Sequence, residues 1–202
     1  MERIGIYGGT FNPIHLGHLH LVKEVQSALH FDQILFIPAK IPPHKDAPDL
    51  ASGKDRLEMV RLAVEEMPEA MVSDIELRSH GKSYTVYTLE KLQALLPGRE
   101  FTLLMGADML LTFDQWFRWQ DILFMSRAAA VTRGAGELEA LREKARILSP
   151  EGRIDVIAAS PLPMSSTDIR QKIREGSDPS ALLPEKVWSY ICRHELYGRT
   201  PR

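Results

Sequence analysis

The chain has 202 residues, 44% of them hydrophobic and 26% charged, a length that encloses a substantial core and a balance that excludes a disordered tail or a fibrous repeat. A formal net charge of -2 excludes a protein whose main task is neutralising a nucleic-acid backbone, because that footprint needs a large basic excess. The single cysteine, Cys192, excludes an intrachain disulfide or a cysteine cage for a metal. It fits a reducing compartment, and with an apolar N-terminal run far below the ~18 residues of a membrane span and no secretory pattern, a cytoplasmic protein is expected.

In chain order, β-branched and aromatic runs alternate with apolar residues at helix spacing. Residues 4–7 read as a strand, 19–29 as a helix and 33–38 as a strand. A loop rich in Pro, Asp and Lys over 39–53 leads to a helix at 55–67 with Ser52 placed to cap it. Strand 71–75, helix 86–95 stopped by Pro97-Gly98, and strands 101–105 and 128–132 follow. Helix 138–148, strand 154–158 and an amphipathic pattern over 182–197, opening at Pro184, complete the chain. The alternation predicts an α/β fold: a Rossmann-like doubly wound parallel sheet with helices on both faces, binding ligands beyond the carboxyl ends of its strands. Residues 1–202 are expected to form a single domain, with about 160–202 as a C-terminal helical subregion.

The first strand runs into Gly8-Gly9-Thr10-Phe11-Asn12-Pro13-Ile14-His15-Leu16-Gly17-His18. Gly8 and Gly9 let backbone amides approach an anion with no Cβ in the way, and the helix that follows offers unpaired N–H groups and a favourable dipole. His15 and His18 project on one face of the first helical turn, with Gly17 leaving room between them. A glycine turn followed by two solvent histidines is the better account of a Gly pair alone; the dense combination favours a phosphate site.

Ser165-Ser166-Thr167 and Arg170 repeat the arrangement, with hydroxyls that cap a helix, outward amides and an arginine one turn on. A second phosphate grip and a capped surface helix with a solvated arginine both fit; the position after the last strand, facing the His15 loop, adds weight to the grip. His44 and Lys45, in the Pro-rich loop, are either solvated or close over phosphates. Asp108 stands after a strand, to accept hydrogen bonds from ribose hydroxyls or to cap the next helix. Trp116 and Phe117 lie beside Leu110, Leu111 and Phe113, where aromatics are usually core, although an indole face also stacks well on a flat ring. Two histidines alone suggest zinc, but no third ligand lies nearby, so no metal site made by protein alone is expected.

Residues 8–18 resemble the signature of the nucleotidyltransferase family that shares its HxGH element with class I aminoacyl-tRNA synthetases. Pro42-Pro43-His44-Lys45, Ser83-Tyr84-Thr85, Gly106-Ala107-Asp108, Trp116, Ser165-Ser166-Thr167-Asp168-Ile169-Arg170 and residues 187–197 resemble, in that order, the bacterial nicotinate-mononucleotide adenylyltransferases. Asn12 is a departure, since Asp belongs to the family pattern there. The resemblance implies transfer of AMP from ATP to nicotinate mononucleotide, giving nicotinate adenine dinucleotide and pyrophosphate in NAD biosynthesis. It implies that Gly8, Gly9, Thr10, Phe11, His15, Gly17, His18, Gly106, Asp108, Ser165, Ser166, Thr167 and Arg170 bind ATP. His44, Lys45, Ser83, Thr85, Trp116 and Phe117 then bind the mononucleotide: Trp116 lies against the nicotinate ring, and Thr85 and the Phe117 amide receive its carboxylate. His15, His18, Lys45 and Arg170 are the expected catalytic residues, with His18 closest to the α-phosphate. Mg²⁺ is expected to arrive on the phosphates of ATP.

A phosphopantetheine adenylyltransferase shares the loop and the serine-rich segment, but Trp116, residues 42–45 and the extra length oppose it. A nucleotide-sensing module without turnover is opposed by His15, His18 and Arg170 together. A fragment of a tRNA synthetase would want a basic RNA surface that the net charge does not supply.

Overall fold

In the computed structural model, which describes residues 1–40, 49–79, 81–132, 135–160, 162 and 164–198, six strands form one sheet. They are β1 (Arg3–Gly9), β2 (Gln33–Pro38), β3 (Ala70–Val72), β4 (Glu100–Gly106), β5 (Arg127–Val131) and β6 (Ile154–Ile157). The helices are α1 (Leu16–Leu29), α2 (Gly53–Val64), α3 (Thr85–Leu95), α4 (Ala107–Leu111), α5 (Trp119–Met125), α6 (Leu138–Leu148), α7 (Ser166–Arg174) and α8 (Glu185–Arg193). The sheet order is β3-β2-β1-β4-β5-β6 and every pairing is parallel. This is the doubly wound sheet that the alternating pattern predicts.

Alternation along the central strands feeds two cores. Ile4, Ile6, Leu35, Ile37, Leu103, Met105, Ala128 and Ala130 face one side, where α3, α4, α5 and α6 cover them through residues such as Leu89, Leu110, Ile122 and Leu141. Tyr7, Ile34, Phe36, Leu104, Ala129 and Val131 face the other, beneath α1, α2, α7 and α8. Strands apolar on both faces are what a buried parallel sheet requires. Ile169, Ile173, Val187 and Ile191 of the last two helices belong to the same apolar cluster as β1 and β2, so the C-terminal helices are built onto the sheet.

Element ends differ from the periodicity in places. β3 stops at Val72; after the bond from Ser73 N–H to Phe36 O the chain turns, with Arg78 N–H on Asp74 O and Ser79 N–H on Glu76 O. Ile75 has an apolar partner because it packs on the core from this turn, which is why its apolar character extends the strand pattern. α4 and α5 have five and seven residues, less than two turns each, so no period is visible in them. Among the described residues no helix is long and apolar enough to cross a membrane.

Candidate active site

The strand order reverses between β1 and β4, the place where a doubly wound sheet opens a crevice at its carboxyl edge. Gly8 and Gly9 end β1 and Gly106 ends β4, with Asp108 exposed in the first turn of α4. Beyond β1 the backbone doubles back at Phe11, whose φ of 48° is left-handed, and passes a cis bond between Asn12 and Pro13. The Phe11 ring lies 3.0 Å from where a Cβ of Gly9 would stand, so packing requires that glycine. At Gly8 an added Cβ would meet nothing within 4 Å, and the space beside that backbone is open.

His15 is the extended N-cap of α1 and is buried; His18 sits one turn on. Their rings lie 3.7 Å apart between centroids, and the His18 ring is also 5.3 Å from Phe11 and edge-on to it. The backbone N–H of His15 donates to Nδ1 of His18 at 3.1 Å. That bond makes Nδ1 an acceptor, so the His18 proton resides on Nε2 and the outer edge of the ring is a donor. Gly17 is confined as well: an added Cβ would come within 2.9 Å of the Met164 side chain and 3.0 Å of the His15 ring.

The start of α7 docks on this loop. Ser165 caps the helix, its Oγ accepting the Asp168 N–H at 3.1 Å. Ser166 Oγ donates to Pro13 O at 2.9 Å, Gly17 N–H to Met164 Sδ at 3.0 Å, and Arg170 Nη1 to Asn12 O at 2.8 Å. Arg170 Nε is buried, with no hydrogen-bond partner among the described residues. Thr167 is exposed in the first turn. Thr10, Gly8, Gly9 and the two histidines are thus brought together with Ser165, Ser166, Thr167 and Arg170.

On the other face, Thr85 opens α3 behind Tyr84, whose ring lies 5.0 Å from that of Phe117. Trp116 is half-buried against Phe113 at 5.1 Å, and Phe117 is exposed. Ser83 is half-buried and its Oγ accepts the backbone N–H of Lys40, at the exit of β2. Ser83, Thr85, Trp116 and Phe117 therefore form a second group, rooted on the α3–α5 side of the sheet. His44 and Lys45 lie outside the described residues.

The cytidylyltransferase-like family matches residues 6–172. A probable nicotinate-nucleotide adenylyltransferase of Carboxydothermus hydrogenoformans is 40% identical over 96% of this chain and 98% of its own. One of Listeria innocua is 37% identical over 98% of both chains. The chain belongs to the nicotinate-nucleotide adenylyltransferase family. Its fold is that of a solved Plasmodium falciparum nicotinic acid mononucleotide adenylyltransferase complexed with NaAD, at a TM-score of 0.81, 19% identity and 99% coverage of both chains.

Against this family's pattern, the departure at Asn12 acquires a structural meaning. The side chain is buried; its Oδ1 accepts from Ala51 N–H at 3.0 Å and Tyr197 O–H at 2.9 Å, while Nδ2 donates to Asp49 O at 3.0 Å. Asn12 therefore ties the loop after β1 to residues 49–51 and to the C-terminal turn, and the donor bond is one that an aspartate cannot make. Burial pushes the Tyr197 hydroxyl well above its ordinary pKa, with Arg170 and Arg56 opposing, which keeps it a donor.

Arg56 is a further residue that periodicity overlooks. It is 1% exposed, and donates from Nη1 to Thr10 O (2.8 Å) and Ala39 O (2.7 Å) and from Nε to Ala51 O (3.0 Å). Burial lowers its pKa, with Tyr197 and Glu76 pulling it back up. The exits of β1 and β2 are thereby laced to α2 by one guanidinium. A signal existed: Arg56 occupies the stripe of Met59, Val60 and Val64, and a cation at an apolar position of a helix marks a buried polar task. No group of three or more His, Cys, Asp or Glu is placed to hold a metal among the described residues.

Proposed function

We propose that the chain transfers AMP from ATP to nicotinate mononucleotide, giving nicotinate adenine dinucleotide and pyrophosphate. The observation that carries this reading is the docking of α7 onto the His15–His18 loop through Ser166 and Arg170, which sets two helix N-termini at the strand switch point of a chain whose relatives bear that activity in their names. Two such termini suit a triphosphate, because each presents a positive dipole end.

A phosphomonoester has its second pKa near ~6, so the attacking phosphate is already largely dianionic at neutral pH and no general base is needed. The chain's work is to align two polyanions for in-line attack on the α-phosphorus and to neutralise charge that grows on the α- and β-phosphates. His18 donates from Nε2, the nitrogen its bond to His15 leaves protonated. Arg170 turns its guanidinium to the phosphates, and His15 and Lys45 complete the positive surroundings. Gly8, Gly9, Thr10, Phe11 and Gly17 shape the cradle, and Ser165, Ser166 and Thr167 hold the β- and γ-phosphates. Gly106 and Asp108 take the ribose. His44 serves the mononucleotide phosphate, Trp116 stacks on its ring, and Thr85 with the Phe117 amide receives its carboxylate; donors of this kind favour the acid over the neutral carboxamide. MgATP is the substrate, its metal keeping most of its waters. The whole of 1–202 acts as one domain in the cytoplasm.

The test is Mg²⁺-dependent pyrophosphate release from ATP with nicotinate mononucleotide, nicotinamide mononucleotide or phosphopantetheine. Strong preference for the first is expected. Preference for another acceptor refutes the substrate assignment, and ATP binding without release from any of them refutes the reaction.

A further inference from the structure

The last rung between β1 and β2 is the bond from Ala39 N–H to Gly9 O at 2.9 Å. After it the two chains lead to different halves of the site. Thr10 continues into the loop that carries His15 and His18. Lys40 is held toward α3 instead, its N–H donating to Ser83 Oγ at 2.9 Å and its Nζ to Ser79 O at 2.7 Å, and Ser83 precedes Tyr84 and Thr85 at the start of that helix. Arg56 of α2 bridges the fork. Its Nη1 donates to Thr10 O at 2.8 Å and to Ala39 O at 2.7 Å, which uses both protons of that nitrogen. A ring closes through Gly9 O, Ala39 N–H, Ala39 O, Nη1 and Thr10 O. The guanidinium is anchored in turn by Nε, which donates to Ala51 O at 3.0 Å, while Ala51 N–H donates to Asn12 Oδ1 at 3.0 Å.

We infer that Arg56 is a positioning residue that sets the register between the two halves of the site, without touching either substrate. The inference rests on the proposal that the loop after β1 takes ATP and that Thr85, Trp116 and Phe117 take the mononucleotide. A backbone carbonyl past the end of a ladder needs a donor, and a single planar guanidinium that serves one carbonyl from each exit holds the two exits at a fixed separation. That an ionised group 1% exposed occupies this place fits the need, because three carbonyl partners offset the cost of burying it. In-line attack depends on where one phosphate stands relative to the other. Each substrate keeps its own contacts when the register slips, so the step that joins them suffers and the separate affinities do not.

The experiment compares wild type with Arg56→Lys, in which a point charge on a flexible stem replaces the rigid fork. Pyrophosphate release is measured with both substrates saturating, and ATP, nicotinate mononucleotide and nicotinate adenine dinucleotide are each titrated alone by calorimetry, below the melting temperature of the variant. The kcat is expected to fall about ten- to a hundredfold, the usual effect of misplacing reacting groups by ~1 Å. The Kd for ATP and for the mononucleotide should each stay within about threefold, whereas that for the dinucleotide, one ligand that must engage both halves at once, should rise about tenfold. An unchanged kcat, an unchanged dinucleotide affinity, or a loss of affinity for either substrate as large as the loss in kcat overturns the inference. If Arg56→Lys does not fold, Arg56→Gln, with two N–H donors and no charge, decides; if neither folds, Arg56 serves the fold alone and the inference fails. Wild type that binds the dinucleotide but releases no pyrophosphate refutes the proposed reaction and leaves the affinity comparison to decide; wild type that does not bind it refutes both.

Discussion

Replacing His18 by alanine deletes the acceptor of the His15 N–H and the Nε2 donor together. Losing one donor aimed at developing charge costs on the order of a hundred- to a thousandfold in kcat, and pyrophosphate release from His18→Ala should fall by that much. An asparagine at 18 offers an oxygen to the His15 amide and an N–H₂ outward, so His18→Asn should recover part of the loss, and equal damage in both variants would refute the orientation of the ring given above. Asn12 permits an equally sharp test. Asn12→Asp removes the donor to Asp49 O while keeping the acceptor for Ala51 and Tyr197. Unfolding in urea should show a loss of about 1–3 kcal/mol, the usual consequence of leaving a buried polar group unsatisfied.

Helix α7 ties the last part of the chain to the first loop, and its cap is separable from its arginine. Ser165→Ala should cost about 1 kcal/mol of stability and raise the KM for ATP more than that for the mononucleotide, since the lost cap loosens the first turn of α7, the proposed triphosphate grip. Arg170→Ala should lower kcat and also the melting temperature, since it removes the bond to Asn12 O that helps dock α7. Much of the sheet was legible before folding: runs such as 33–38 and 101–105 are apolar on both faces, and that pattern has few other homes. The proposed phosphate loop stands out in the sequence because its chemistry is contiguous, glycines and histidines within a short stretch of chain. What escaped is assembled from distant pieces. Asn12 meets Ala51 and Tyr197, Arg56 meets Thr10 and Ala39, and Glu76 meets Thr88; no local period encodes such meetings. α4 and α5 escaped for a different reason, being too short to repeat.

Across the whole molecule, the C-terminal helices are fastened to the sheet partly through α2. Tyr190 O–H donates to Asp55 Oδ1 at 2.9 Å, and burial, with that bond and the charges of Asp55 and Glu58, pushes the phenol from 10.0 up to about 12. A pKa raised on folding means that the native state holds its proton more tightly. The contribution of this contact is therefore complete below pH 10 and lost as the pH rises through about 12. Melting temperatures measured from pH 8 to 12 should fall more steeply for wild type than for Tyr190→Phe over the upper part of that range, and parallel curves would refute the linkage.

The two groups of site residues are rooted on opposite faces of the sheet, Arg170 with the α7 side and Tyr84 and Trp116 with the α3–α5 side, and meet only at its edge. Under the proposed assignment, a ligand that fills one group leaves the other accessible, whereas the dinucleotide product covers both. Inhibition patterns should carry that geometry: nicotinate adenine dinucleotide competitive with either substrate, pyrophosphate competitive with ATP alone. The sheet then sets the kinetic grammar of the enzyme, because the product must let go of two faces before either substrate can return.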